Sequence, residues 1–253
     1  MNKEIMVRNF SRYAHLYDDH ANIQQQVAKE LLAKIKDESF ENILEVGSGT
    51  GGYSSLLRKH FRSAKIQAFD ISRKMVEFSR EKLKGENINF FEADAENLKL
   101  AEEFDLVTSN ACFHWFLDLE RAISSCVQLL RKNGTIAFSI FGPLTFTELG
   151  QSLQSVFSQA HIAANDFSGQ ENIEIILRKH FHSLSIKEIR YQEKYNNLQD
   201  LLSKIKFTGT AGDGLTNKVN FSRGVLKQLE TAYLHKFKSI FATYQVFFCQ
   251  GKA

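Results

Sequence analysis

The residues most able to do chemistry stand between Leu44 and Ser54, LEVGSGTGGYS, where an acid is followed by four closely spaced glycines. The run follows the β-rich NILEV and leads into the amphipathic YSSLLRKHF, so it reads as a strand, a glycine-rich turn and a helix. Glycines in such a turn tolerate positive φ and let bare backbone N–H groups approach a ligand closely. Spacing leaves two templates open. Gly47, Gly49 and Gly52 satisfy the dinucleotide pattern G-x-G-x-x-G, while Glu45, Gly47, Gly49 and Gly51 satisfy E-x-G-x-G-x-G. Asp70 closes the next β-rich run, KIQAFD, where a carboxylate can accept both hydroxyls of a ribose. That serves any adenosine-bearing ligand, NAD and S-adenosylmethionine alike.

The elements that must position these residues alternate from Asn42 to Phe141: NILEV, YSSLLRKHF, KIQAFD, SRKMVEFSREKL, NINFFEA, FDLVTSN, LERAISSCVQLL and TIAFSIF. Short β-rich runs separated by amphipathic ones predict a parallel sheet with crossover helices. Pro143, the only proline, follows the fifth β-rich run and cannot continue a ladder, so the core is expected to end near Phe141. Ahead of the core, Phe10, Tyr13, Tyr17, Ala21, Ala28 and Leu31 recur at helical steps and predict one long helix from Val7 to Lys36 with an aromatic face. Behind it, FTELGQSLQSVFSQAHI reads as a helix, SLSIKEIRYQEKY as a strand, LQDLLSKIKF and SRGVLKQLETAYLHKFK as helices, and SIFATYQVFFCQG as a closing strand. The glycine cluster from Thr208 to Asn217 is the mobile-loop candidate.

Composition narrows the setting. With 253 residues, 43% of them hydrophobic, the chain can bury a substantial core. Lys and Arg number 32 against 29 Asp and Glu, which offers no whole-protein argument for nucleic acid or membrane. Residues 204–253 are the basic part, with eight Lys/Arg and two Asp/Glu. Cys112, Cys126 and Cys249 are odd in number and far apart, which argues against a disulfide framework or zinc and for a reducing, cytoplasmic setting. The first residues scatter charges and carry no apolar core, so no export signal is expected, and no stretch approaches the roughly 18 apolar residues of a membrane span. His180 and His182 have no carboxylate or Cys at ligand spacing, so no metal is expected. Cys112 reads as a small buried thiol before it reads as a nucleophile.

The third strand separates the two templates. NFFEADAENL places Asp94 and Ala95 where class I methyltransferases read the adenine edge, and Asn110 ends the fourth strand, where open α/β folds bind ligands. Each acid also has an ordinary alternative, Glu45 as a buried hydrogen-bonded carboxyl, Asp70 and Asp94 as helix N-caps. Together, in register, they make Asn42 to Phe141 resemble a class I S-adenosylmethionine-dependent methyltransferase. The flanks refine the resemblance: FSRYAHLYDDHANIQQQVAKELL, HWFLDL, FGPLTFTEL, KFTGT and LTNKVNFSRGVLKQLE look like the malonyl-acyl-carrier-protein O-methyltransferases of biotin synthesis, a match over nearly the whole chain.

That resemblance implies a Rossmann-like α/β fold, a mostly parallel seven-stranded sheet flanked by helices, with helical N-terminal and lid additions. One methyltransferase domain is expected over 1–253: an N-terminal helical segment 1–41, a cofactor-binding core 42–141, helical cap elements 142–182 and 196–238, and final strands 183–195 and 239–250. It implies S-adenosyl-L-methionine as cofactor, held by Glu45, Gly47, Gly49, Gly51, Asp70, Ile71, Asp94, Ala95 and Asn110. The acceptor would be the malonyl carboxylate of acyl carrier protein, with malonyl-coenzyme A as the other thioester to consider, and neither nucleic acid nor membrane as partner. A malonyl carboxylate is already ionised at neutral pH, so positioning rather than a base is required. Tyr17, His114 and His20 are the expected orienting donors, with Trp115 and Phe116 excluding water. Lys206, Arg223 and Lys227 are the expected contacts to an acidic carrier. The competing readings are a methyltransferase for another small carboxylate or hydroxyl, a non-catalytic adenosine-ligand sensor, and an NAD oxidoreductase, the last disfavoured by Asp94-Ala95.

Overall fold

The structure, a computed structural model, describes residues 3–35, 38–208 and 222–253, together with the backbone of 215–216. Thr208 apart, the side chains of the expected mobile loop, residues 209–217, lie outside the described residues.

Five strands run parallel at the centre: β1 (Asn42–Val46), β2 (Lys65–Asp70), β3 (Ile88–Glu92), β4 (Phe104–Asn110) and β5 (Leu130–Phe141). Two long strands complete the sheet, β6 (Ser183–Tyr195) and β7 (Ile240–Lys252). The order is β3-β2-β1-β4-β5-β7-β6, with β7 antiparallel to both neighbours. The order reverses between β1 and β4, whose carboxyl ends therefore open a crevice. The inner strands are buried on both faces, which is why they read as unbroken β-rich runs, whereas the edge strand β6 alternates in burial. β5 stops at Phe141 as Pro143 requires.

Helices cover both faces. On one, α2 (Asn22–Ile35), α3 (Gly52–His60), α6 (Thr147–Val156), α8 (Leu198–Phe207) and α9 (Arg223–Phe237) share a core that includes Val27, Leu31, Leu57, Leu153, Leu201 and Tyr233. On the other, α5 (Leu119–Val127) and α7 (Gln170–Arg178) bury Ile123, Cys126, Ile173 and Leu177 against Leu44, Val107, Ile136 and Phe138. α4 (Arg73–Lys82) sets Val76 on Ala68 and Phe90.

The N-terminal segment departs from expectation. It is two helices, α1 (Lys3–His20) and α2, broken at the buried Ala21. The apolar recurrence passes through the break because Ala21 keeps to the core side. The Gln25 side chain donates to the Asp18 carbonyl at 2.9 Å, satisfying an acceptor that the helix end leaves open. α7 falls within the helical cap expected over 142–182, where Ile173, Ile176 and Leu177 carry helical spacing.

Candidate active site

The glycine turn sits at the mouth of the crevice. Gly47 adopts φ +74°, and a Cβ there would lie 2.3 Å from Cys112 Sγ, so the turn requires both the conformation and the smallness of glycine. Gly49, at φ +51°, faces open space, and its N–H donates to Asp70 Oδ2 at 2.9 Å. Asp70 Oδ1 accepts from the Ser72 N–H at 2.8 Å, so one carboxylate joins the turn after β1 to the turn after β2. Burial raises the Asp70 carboxyl against the opposing pull of these N–H groups.

Asp94 caps the short turn Ala95–Asn97 by accepting from the Glu96 N–H at 3.1 Å. The ordinary reading of this acid is therefore met, and its carboxylate still faces the crevice. Lys3, at the start of α1, donates to Asp94 Oδ2 at 2.6 Å and also bonds Glu96. Burial works against the Asp94 anion, but Lys3 and the amide donors outweigh it and hold the carboxyl below its ordinary range. The other end of α1 is fastened as well. Asp18 accepts from the Thr50 hydroxyl at 2.5 Å and from Lys82 at 2.5 Å, and midway Ser11 meets Ser72 at 2.8 Å. α1 thus straps across the crevice with polar clasps at both ends.

Beneath it the crevice has two lobes that share Tyr17, Gln24, Gly47, Gly49 and Asn110. The larger lining set brings together most of the expected residues: Tyr17, Gly47, Gly49, Asp70, Ile71, Asp94, Ala95, Asn110, His114, Trp115 and Phe116. Glu45 opens on the second lobe, and burial pushes its carboxyl up to about 8. Asn110 is held on both sides, donating to the Gln24 carbonyl at 3.0 Å and accepting from Ser139 Oγ at 2.9 Å. Gly51 caps α3 and lines neither lobe.

His114 is buried against Trp115, Phe141 and Phe167, with its ring 4.8 Å from the last two, and desolvation lowers it to about 3. The imidazole is neutral at physiological pH. Burial, with Asp18 and Asp70 nearby, drives the Tyr17 phenol upward, so it stays protonated and keeps its O–H to donate. Burial likewise raises the Cys112 thiol and removes it as a nucleophile. Aromatic groups close the pocket: Phe10 meets Trp115 edge-on at 5.7 Å, and Phe167 meets it from another side at 5.7 Å.

The remaining expected residues lie elsewhere. His20 stacks on Phe207 at 4.8 Å and is not among the pocket-lining residues. Lys206 stands over the rings of Tyr13 and Phe207. Arg223 begins α9, and Lys227 lines a separate groove between α9 and the end of α6 at Ser155 and Val156. Lys3, Phe10, Gln24, Phe141 and Thr208 are pocket residues that the motifs missed. Phe10 carried a signal in its place on the aromatic face, and Thr208 in opening the glycine cluster.

Comparison with known proteins agrees with this geometry. A family model described as a methyltransferase domain matches residues 44–138. The fold resembles that of the YcgJ protein of Bacillus subtilis, at TM-score 0.63 and 15% identity, covering 88% of this chain and 98% of that one. It also resembles a phosphoethanolamine N-methyltransferase of Haemonchus contortus, at TM-score 0.56 and 19% identity over 88% of this chain and 52% of that one. Sequence decides the family. Malonyl-acyl-carrier-protein O-methyltransferase 1 of Ilyobacter polytropus is 37% identical over 94% of this chain and 88% of its own length. The chain belongs to the malonyl-acyl-carrier-protein O-methyltransferase family. Its relative of that name in Acetivibrio thermocellus is 31% identical over 100% of this chain and 94% of its own length. The malonyl-acyl-carrier-protein O-methyltransferase likeness therefore includes α1, the caps and the last two strands as well as the glycine turn.

Proposed function

We propose that the chain transfers a methyl group from S-adenosyl-L-methionine to the free carboxylate of malonyl-acyl carrier protein, giving the malonyl methyl ester that primes pimeloyl synthesis for biotin. The observation that carries this reading is a likeness at 37% identity that extends over 94% of the chain, well past the cofactor core.

The residues present fit the cofactor. The Cβ-free face of Gly49 leaves room for a ligand, Asp70 offers a carboxylate for ribose hydroxyls, and Asp94 with Ala95 offers an edge for adenine. Buried acceptors without partners, Gln24 Oε1 and Glu45 Oε2, stand ready in the second lobe. S-adenosyl-L-methionine supplies an electrophilic methyl on a sulfonium and leaves as S-adenosyl-L-homocysteine. The chain need not supply a base, because the acceptor is an anion at neutral pH. Tyr17, held protonated, and His114, held neutral, serve as orienting groups. Phe10, Trp115, Phe116 and Phe141 surround that end with apolar surface and keep water away. Cation and anion neutralise each other as the methyl moves, so a dry apolar wall disfavours the separated charges more than the transition state. Methylation removes a charge that fatty-acid enzymes with apolar pockets would otherwise have to desolvate.

Lys206, Arg223 and Lys227 are proposed as carrier contacts, since a basic rim speeds encounter with an acidic partner. His20 is proposed as a support through Phe207 rather than as a group touching the acceptor. The cytoplasm is the proposed setting: the three cysteines are free, and among the described residues no helix is long and apolar enough to cross a membrane.

The test is mass spectrometry of malonyl-acyl carrier protein after incubation with the chain and S-adenosyl-L-methionine, with malonyl-coenzyme A and succinyl-acyl carrier protein alongside. A single methyl gain on the malonyl carrier, removed by esterase, is expected. Cofactor binding without mass gain on any acceptor would overturn the substrate assignment.

A further inference from the structure

The second lobe of the crevice contains groups that the proposed reaction has not used. Gln24, on the first turn of α2, is 8% exposed, and its side-chain oxygen has no hydrogen-bond partner. Glu45, at 1% exposure, likewise leaves Oε2 without one. Both side chains line the same lobe, beside Ser48, whose buried hydroxyl is also unpartnered. Buried acceptors are normally satisfied, and a carboxylate among them is satisfied best by a cationic donor. Lys29 also lines the lobe and sets a cation beside these acceptors, while Lys82, another lining residue, is paired with Asp18. Buried acceptors with a cation beside them match an amino-acid zwitterion, the ammonium going to the acceptors.

We infer that Gln24 is a cofactor-binding residue: its side-chain oxygen, together with the Glu45 carboxylate, receives the α-ammonium of the amino-acid end of the cofactor. The inference rests on the reading of S-adenosylmethionine as cofactor and adds a ligand contact from outside the glycine-rich motif. It also gives the cofactor a direction, with adenine at Asp94, ribose at Asp70 and the amino-acid end under α2. The sulfonium then falls where the lobes join, the region shared by Tyr17 and Asn110. Gln24 has a second task, since its backbone carbonyl holds the Asn110 side chain at 3.0 Å. A side-chain substitution leaves that bond in place, so the two roles can be separated.

The experiment is isothermal titration with S-adenosylhomocysteine and with 5′-methylthioadenosine, which lacks the amino-acid end. Gln24→Leu is expected to weaken S-adenosylhomocysteine about tenfold or more, the scale of a hydrogen bond to a charged group. It should leave 5′-methylthioadenosine within about twofold, and Gln24→Glu, which restores an acceptor oxygen, should recover most of the lost affinity. Equal weakening of both ligands would assign Gln24 a structural role, and no weakening of either would remove it from the site. Each result overturns the inference. Should Gln24→Leu not fold, the wild-type protein titrated with the des-amino analogue of S-adenosylhomocysteine gives the answer: that analogue must bind about tenfold or more below S-adenosylhomocysteine, and equal affinity refutes an ammonium receptor. If the wild-type chain binds none of these ligands, the cofactor reading falls and takes this inference with it. If it binds them and Gln24→Leu behaves as wild type, the inference falls alone.

Discussion

Gly47→Ala sets two independent penalties on one atom. The φ of +74° is costly for any residue with a Cβ, about 1–2 kcal/mol. The new methyl would also lie 2.3 Å from Cys112 Sγ and 2.7 Å from Cys112 Cβ, and relieving such overpacking typically costs about 1–3 kcal/mol. The sum, about 2–5 kcal/mol, is a large share of the roughly 5–15 kcal/mol that holds a domain folded. The second penalty alone depends on Cys112. Cys112→Gly removes both clashing atoms, so the double variant should be more stable than the two single effects predict by about 1–3 kcal/mol. Urea unfolding of the four proteins, at equal m-values, measures that coupling. S-adenosylhomocysteine affinity should fall in Gly47→Ala and recover in part with Cys112→Gly. Effects that add within about 0.5 kcal/mol would refute the steric argument and leave backbone strain as the whole cost.

Three further outcomes are expected. Tyr17→Phe should bind S-adenosylhomocysteine as wild type yet lose about 10- to 100-fold in kcat, as misorientation of an acceptor does; unchanged turnover would remove Tyr17 from the reaction. Asp70→Ala withdraws the acceptor of the Gly49 and Ser72 N–H groups, so S-adenosylhomocysteine binding should vanish by calorimetry while circular dichroism stays native. Glu45, lifted by burial from an ordinary 4.5 to about 8, stabilises the ligand-free protein fully below pH 4.5 and less as pH rises through 8. Between pH 6 and 8 the wild type should therefore lose about 2–3 kcal/mol relative to Glu45→Gln, seen in thermal unfolding, and parallel pH curves would contradict it.

Much of the scaffold was legible because its rules are local. Buried parallel strands must be apolar without interruption, so NILEV and TIAFSIF announce themselves, and the turn between strand and helix needs glycine where Cys112 presses against Gly47. Asp70 and Asp94 were legible for another reason: each stands at or just past the carboxyl end of a β-rich run, and the structure puts both in the pocket lining, although Ser72 rather than Asp70 caps α4. The break at Ala21 was hidden because a buried alanine satisfies the apolar recurrence whether the helix continues or not. Lys3 and Gln24 were hidden because their partners are distant in the chain, Asp94 lying 91 residues from Lys3 and Asn110 lying 86 from Gln24. A lysine near a terminus and a glutamine in the run QQQ look like ordinary solvated residues until the chain has folded. His20 shows the converse. It stands three residues after Tyr17, a spacing that shares a helix face, but it ends α1, and its ring meets Phe207 of α8 instead of the pocket.

The strap across the crevice divides the molecule into parts with different lifetimes. Of the 18 residues of α1 only Met6 and Ala14 are buried, whereas α2 buries six of its 14. What resists when α1 lifts is a few clasps between charged or hydroxyl groups and a few ring contacts, Phe10 on Trp115 and Tyr13 on Phe207. Its amides should then exchange with solvent through local opening, long before those of β1 or β4, which wait for global unfolding. A ligand held beneath α1 must be uncovered for each exchange event, so occupancy of the crevice should be written directly into the protection of residues 3–20. The chain would thereby report its own cofactor loading at the helix that covers it.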